Sequence, residues 1–414
     1  MTEKDRNMSR RDFISMSGAG LTSLFALSGG LMQSAVAQET PPEPAEKKEP
    51  PQATLPTRSY GKTGVAVSML ALGGIFDIVS NQVVLKKSLD CGLTYWDTAD
   101  CYEGGNSEIG IGKYFEKFSD ARKKIFLVTK SDSRDLEGVT KLLNRSLERM
   151  KTDYIDLYFL HGVKSPSELS PELKAWAEKA KAEGKIRFFG FSAHENMADL
   201  LQAAAGLGWI DGIMMRYNFR LMHEDKMKAA VEACQKAGVG LTAMKTQGGG
   251  PVKTDSEAEL KLAGHFLQKG YTSEQAKLKA VWQNEAIASV CSQMGNVAIL
   301  MANVAAALDK TALEVSDIEA LKNYAVATRS SYCAGCRNIC EAFVGEDCRI
   351  GDVMRYLMYH RNYGDTERAR SLYAALPKGT GSGVTSRDFS AAERACPQGI
   401  PIGRLMAEAE SLLA

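Results

Sequence analysis

The sequence predicts an α/β chain built around a closed (β/α)₈ barrel, with a small second module at its C-terminal end. Three observations point to this. From about Arg58 to Thr328, short apolar runs rich in β-formers alternate with amphipathic helical stretches, the pattern of βα units around a parallel sheet. Eight such runs are found, and a region of about 270 residues suits a closed barrel, typically about 250 residues long. Beyond it, Cys333, Cys336, Cys340, Cys348 and Cys396 crowd the last fifth of the chain.

In chain order, the first segment reads as an address. Ser9-Arg10-Arg11-Asp12-Phe13-Ile14 precedes a weakly apolar run from Ser15 to about Met32, and Ala35-Val36-Ala37 follows. Paired arginines, a modest apolar stretch and an Ala-x-Ala site resemble a twin-arginine export signal over residues 1–37. This predicts export of the folded chain to the periplasm. The run is too short and too broken by Gly and Ser to predict a membrane span. Pro41-Pro42-Glu43-Pro44 and Pro50-Pro51 then mark an extended linker over residues 38–56. The barrel is assigned to 57–328 and the second module to 329–414.

The predicted strands are Met69–Gly73, Leu93–Asp97, Ile125–Thr129, Ile155–Leu160, Ile186–Phe191, Gly212–Met215, Val239–Met244 and Ala286–Val290. Between them, Leu136–Met150, Pro171–Ala182 and Glu224–Ala237 carry helical periodicity. Gly248 to Thr272 reads as a loop above the strands, where a barrel sets its specificity. An open doubly wound sheet would want a Gly-x-Gly-x-x-Gly turn after the first strand. Leu72-Gly73-Gly74-Ile75 does not supply one, which favours the TIM-type barrel.

Catalytic groups of such barrels stand just past the C-terminal ends of strands. Asp97 and Tyr102 follow the second predicted strand, Lys130 ends the third and His161 the fourth. Each alone has a plain structural explanation, but together they occupy three successive strand ends. Asp97-Thr98-Ala99 with Tyr102, Val128-Thr129-Lys130, and Asp156-Leu157 with His161 resemble the catalytic tetrad of the aldo-keto reductases. Arg58-Ser59-Tyr60-Gly61, Ser107-Glu108 and Thr152-Asp153-Tyr154 agree, and the likeness runs from Arg58 to about Asn303.

The resemblance implies that Tyr102 is the general acid toward a carbonyl oxygen, with its pKa lowered by Lys130. Asp97 would hold Lys130 charged and His161 would orient the carbonyl. It also implies NAD or NADP as cofactor. Gly74, Asp97, Ser192, Tyr217, Lys245 and Asn303 would contact it, Ser192 near the carboxamide and Tyr217 stacked on the ring. Departures from the family pattern gather in the cofactor site: Ala193 stands for an Asn, Met214 for a Gln and Ala302 for an acidic residue. No Arg stands ready for a 2′-phosphate.

Cys333-Ala334-Gly335-Cys336 and Cys340, with the remote Cys396-Pro397, resemble a ferredoxin-type cluster motif with a lengthened second gap. The second module is therefore expected to be ferredoxin-like and helical, holding a 4Fe-4S cluster on Cys333, Cys336, Cys340 and Cys396. Disulfides and tetrahedral zinc are the other two readings of these thiols. The Met354–Arg361 stripe reads as core or interface packing, Asp365–Leu376 as a helix and Lys378–Gly383 as a loop.

A net charge of +1, with 24% charged residues, provides no bulk field for nucleic acid or an anionic membrane. The expected function is hydride transfer between a small carbonyl/alcohol pair and a nicotinamide, with electrons exchanged through the cluster with an outside electron-transfer protein. The alternative from another class is a non-catalytic redox or binding module that uses the barrel as a scaffold.

Overall fold

The computed structural model describes residues 54–249, 256–345, 348–377 and 387–414. The export signal, the linker up to residue 53 and the Lys378–Gly383 loop lie outside the described residues. Leu55, at the linker's end, is already buried, and its N–H donates to Cys91 O.

Ten strands are described: β1 (Thr57–Ser59), β2 (Ala66–Ser68), β3 (Leu70–Gly73), β4 (Tyr95–Asp97), β5 (Phe126–Ser131), β6 (Ile155–Leu160), β7 (Ile186–Ala193), β8 (Gly212–Arg216), β9 (Gly240–Met244) and β10 (Ile287–Gln293). β3 to β10 form the barrel. Each pairs in parallel with the next, and β10 closes on β3 through Val290↔Leu70 and Gln293↔Gly73. Closure excludes the open doubly wound sheet. The strands are buried along nearly their whole length because helices cover the outside and side chains fill the inside.

The β1–β2 hairpin was not expected from the sequence. It is antiparallel, and its turn carries Tyr60 into the barrel floor, fully buried, with its hydroxyl 3.2 Å from Thr242 Oγ1. Tyr60, Tyr95 and Phe126 meet there at centroid distances of 5.2–6.2 Å and plug the floor. Gly240 is required at this point, since a Cβ on it would lie 2.4 Å from the Tyr60 ring. With the floor blocked, access to the interior is from the C-terminal strand ends.

The helices Leu136–Met150 and Pro171–Ala182 match the sequence periodicity end to end, each with a capping side chain, Asp135 and Ser170 respectively. One expectation is corrected. The Gly248–Thr272 loop contains the helix Glu257–Leu267, capped by Ser256, because Leu262 and Phe266 bury against Phe219, Leu321 and Tyr324. The helix Thr366–Ala374 falls within the expected stretch Asp365–Leu376, and Ile350–Tyr363 contains the Met/Tyr stripe.

Beyond Thr328 the described residues form helices and turns around their own core, which includes Val353, Leu357, Met406 and Leu413. No strand occurs among the described residues of this module, so its likeness to a ferredoxin lies in the cysteine spacing. It docks on the strand C-termini. Glu195, after β7, pairs with Arg337 at 3.1 Å, and Lys164, after β6, pairs with Asp352 at 2.8 Å. Arg216, ending β8, donates to Cys333 O at 2.8 Å. Asn196 N–H donates to Gly335 O at 2.9 Å. The cysteine-bearing loop therefore rests directly on the barrel rim.

Candidate active site

The strand ends bring the four predicted groups together. Lys130 and Asp97 are 1% and 3% exposed, and Lys130 Nζ donates to Asp97 Oδ1 and Oδ2 at 2.6 and 2.8 Å and to Thr98 O at 2.7 Å. Those three acceptors satisfy the ammonium's three hydrogens. Tyr102 Oη lies 3.3 Å from Nζ, a long contact, so Lys130 acts on the phenol mainly as a charge. Burial works against the Lys130 charge, but Asp97 and its hydrogen bonds win and hold the ammonium above the ordinary lysine value. The His161 ring meets that of Tyr102 edge-on at 5.8 Å.

The expected depression of the Tyr102 pKa is not what the structure gives. Burial raises it, and the opposing pull of Lys130 is the smaller effect. The phenol therefore keeps its proton until a partner oxygen develops negative charge.

Tyr102 is held by a turn the sequence did not fully disclose. Glu103, Gly104 and Gly105 take φ of 51°, 62° and 100°, left-handed values that favour Gly. A Cβ on Gly105 would meet the Arg149 guanidinium at 2.6 Å. Arg145 grips the Asp100 carboxylate at 2.6 and 2.7 Å, while Arg149 bonds Asp100 and buried Glu108. These two arginines, on the helix after β5, fix the segment between Asp97 and Tyr102.

His161 is oriented by Asp132, whose Oδ1 is 2.7 Å from Nδ1. With Nδ1 on Asp132, Nε2 is the ring nitrogen left for a ligand. Burial would raise the Asp132 carboxyl, but the His161 hydrogen bond and charge pull it down to about 2. A depressed acid keeps its interaction above the ordinary carboxylate value of ~3.9. The Asp132 carboxylate is thus ionised at neutral pH, and its half of the pair is lost as pH falls through about 2. Asp132→Asn is expected to lower kcat/KM about tenfold, the loss of a charged hydrogen bond worth ~1.5 kcal/mol. Steady-state kinetics check this, and an unchanged value would mean that Asp132 does not position His161.

Above these groups opens a cavity of about 700 Å³ lined by Gly73, Asp97, Tyr102, His161, Met214 and Lys245 among others, a size suited to a bound small molecule. The predicted cofactor residues fall on and off this surface. Gly74 sits beneath it, its N–H on Asp97 O and its carbonyl accepting from Ser107 Oγ. A Cβ there would lie 2.8 Å from Asp97 O. Lys245, at φ 58°, lines the cavity, and burial lowers its pKa. Ser192 is buried, accepting from Gly162 N–H at 3.0 Å, and Asn303 Nδ2 donates to Ser292 Oγ, itself on the wall.

Tyr217 is not among the lining residues, which corrects its stacking role. Side chains alternate along β8, so Met214 points in, whereas Tyr217 packs outward and accepts from Asn284 Nδ2 at 2.8 Å. The mouth's aromatic surface comes instead from Tyr359 and Tyr363, stacked at 5.8 Å with Lys245 Nζ 4.6 Å from the Tyr359 ring centre. The Met/Tyr stripe is thus partly active-site wall. Its i, i+4 spacing could have signalled a shared face, but not what that face covers.

The four cysteines Cys333, Cys336, Cys340 and Cys396 all line one apolar-walled cavity in the C-terminal module, with Ile339, Ile350 and Ile402. No disulfide joins them. Burial, reinforced by neighbouring thiols, pushes Cys336 up to about 11 and Cys340 up to about 12. Such thiols become thiolates only when a cationic centre displaces their protons. Cys348 is buried in the module's core and is not among the residues lining this cavity.

A family model described as the aldo/keto reductase family matches residues 71–316, more than half of the chain. The chain is 29% identical over 216 residues to aldo-keto reductase yakc [NADP(+)] of Schizosaccharomyces pombe, covering 48% of this chain and 62% of that protein. It is 32% identical over 215 residues to aldo-keto reductase str7 of Strobilurus tenacellus, covering 47% and 62%. Over 299 residues it is 25% identical to L-galactose dehydrogenase of Arabidopsis thaliana, covering 64% and 93%. The chain thus spans less than two thirds of the length of the first two of these relatives. The solved holo structure of aldo-keto reductase AKR11C1 from Bacillus halodurans aligns with a TM-score of 0.56 at 22% identity, over 68% of this chain and 98% of that one. At that identity the likeness shows the fold.

Proposed function

The chain belongs to the aldo/keto reductase family, and on that premise we propose that it interconverts a small carbonyl and its alcohol with NAD or NADP held in the barrel mouth, and that Cys333, Cys336, Cys340 and Cys396 hold a 4Fe-4S cluster beside it. The convergence of Asp97, Lys130, Tyr102 and His161 at one barrel end carries the first part. A dinucleotide fits the site in size, and Gln247 Oε1, buried there without a partner among the described residues, offers an acceptor for it.

When bound, the nicotinamide supplies or accepts the hydride. Tyr102 passes its phenolic proton to the carbonyl oxygen, and Lys130, fixed by Asp97, offsets the negative charge left on the phenol. His161, held by Asp132, donates to the same oxygen and sets its direction. In alcohol oxidation the same Lys130 charge favours the phenolate that takes the proton back.

Spacing counts against the zinc reading of the thiols. Tetrahedral zinc with Zn–S of ~2.3 Å needs sulfurs ~3.8 Å apart. Among the described residues no three of the four cysteines bring their sulfurs within 4.8 Å of one another, wider than a single zinc ion needs. The export signal read in residues 1–37 adds that the cofactors travel as resident groups loaded before export. The cluster then exchanges electrons with a redox protein outside, and its seat on the barrel rim supports this coupling.

The test is anaerobic purification of the exported protein, with iron, acid-labile sulfide and acid-released nucleotide measured on one sample. About four irons per chain with retained nucleotide is the expected result. Cys336→Ser should lose most of the iron while Tyr102→Phe keeps it. A protein without iron would remove the cluster, and one without nucleotide would remove the resident cofactor.

A further inference from the structure

The C-terminal module does more than seat the cysteines, because it walls the cavity that holds the catalytic groups. Tyr359 and Tyr363 end one of its helices, Gly364 and Asp365 make the turn, and Arg368 begins the next; all line the barrel mouth. Arg368 lies 5.1 Å from the centre of the Tyr359 ring, and Lys245 reaches the same ring at 4.6 Å from the barrel side. Two cations thus meet at one aromatic in the mouth. Their local compensation is thin. Among the described residues Lys245 pairs with no carboxylate, and the Arg368 contact with Asp365 is stretched to 4.0 Å. Of the other acids nearby, Asp97 is committed to Lys130, Glu195 to Arg337, and Asp352 to Lys164 and Arg355, while Glu103 on the same wall is exposed.

A third observation comes from the end of β7. His194 lines the same cavity, and its Nδ1 is buried without a hydrogen-bond partner. A buried ring nitrogen left unpaired is costly unless a ligand satisfies it. Burial, with the charges of Arg355, Lys245 and Arg216, keeps this imidazole well below its ordinary pKa. It therefore meets a ligand as a neutral ring able to donate one hydrogen.

We propose that Arg368 and Lys245, with His194, form a subsite for an anionic oxygen group carried by the carbonyl substrate, such as a carboxylate. The inference rests on reading the mouth as the carbonyl-reducing site. An arginine beside a point where a substrate ends suits a planar carboxylate, which it can grip with two parallel N–H groups. The other source of the same chemistry is a phosphate of the dinucleotide. Arg368 lines the same cavity as Tyr102 and His161. One small molecule can therefore present its carbonyl to Tyr102 and its anion to Arg368, which favours a group on the substrate itself. The module and the barrel rim then together select acids over neutral carbonyl compounds.

The test compares the wild-type holoenzyme with Arg368→Gln and Arg368→Lys. Arg368 is partly exposed and outside the tetrad, so the fold should survive. Three readouts are used: KM for 4-carboxybenzaldehyde against 4-methylbenzaldehyde, NADPH affinity by fluorescence, and calorimetric binding of benzoate against benzamide. For Arg368→Gln we expect the KM of the acid and the Kd of benzoate to rise at least tenfold. The neutral aldehyde, benzamide and NADPH should change less than twofold, and Arg368→Lys should recover part of the loss. Equal shifts for acid and neutral compounds, or weakened NADPH with unchanged benzoate, would overturn the subsite. Arg368-dependent benzoate binding in a protein that reduces no aldehyde would leave the subsite standing and overturn the carbonyl-reductase reading instead.

Discussion

Tyr102→Phe is expected to lower kcat by about 10²–10⁴, the span that a positioned general acid contributes, with the fold and nucleotide binding unchanged. The structure explains why the two effects separate. Lys130 already satisfies its three hydrogens on Asp97 and Thr98, so removing the hydroxyl at 3.3 Å orphans nothing. The ring keeps its contact with His161. Steady-state turnover of an aldehyde, with thermal unfolding of the same samples, checks this. Full activity in the variant would refute the proton-transfer role and support a scaffold role for the barrel.

Lys130→Met is expected to lose activity and also to destabilise the barrel by about 3–5 kcal/mol, since removing one partner of a buried ion pair strands the other. Asp97, 3% exposed, would face the interior as an uncompensated carboxylate. Denaturant unfolding should show a lower midpoint with an unchanged slope. The double variant Asp97→Asn/Lys130→Met should regain much of the stability and none of the activity, because residues in direct contact are coupled. If the single variant were as stable as the wild type, the ion pair would not be the buried contact described here.

Much of the barrel was legible because local physics dictates it. The helices Leu136–Met150 and Pro171–Ala182 announce themselves by periodicity and caps, and β6 by an apolar run bounded on both sides. The candidate catalytic residues were legible for a related reason: each polar group alone has a structural excuse, but Asp97, Lys130 and His161 stand together at successive strand ends. Tyr217 misled because one step along a strand reverses the face on which a side chain emerges. No motif fixes that parity more firmly than the strand's own register, Arg216↔Met244 in this case.

By itself the sequence determined the alternation of strands and helices, the order of the strand ends that bear ionisable groups, and the clustering of thiols beyond them. These follow from side-chain chemistry read over a few residues. Only the tertiary structure decided that the barrel closes, that Tyr60 plugs its floor, that Asp132 turns His161, and that Tyr359 and Arg368 wall the mouth. Each of these joins residues far apart in the chain or across a turn. Their pairing depends on how whole elements dock, and docking minimises exposed apolar surface and unpaired charge over the entire molecule. A stretch of tyrosines on a helix carries the same local signal whether it fills a core or faces a substrate, and only the surface it meets tells the two apart.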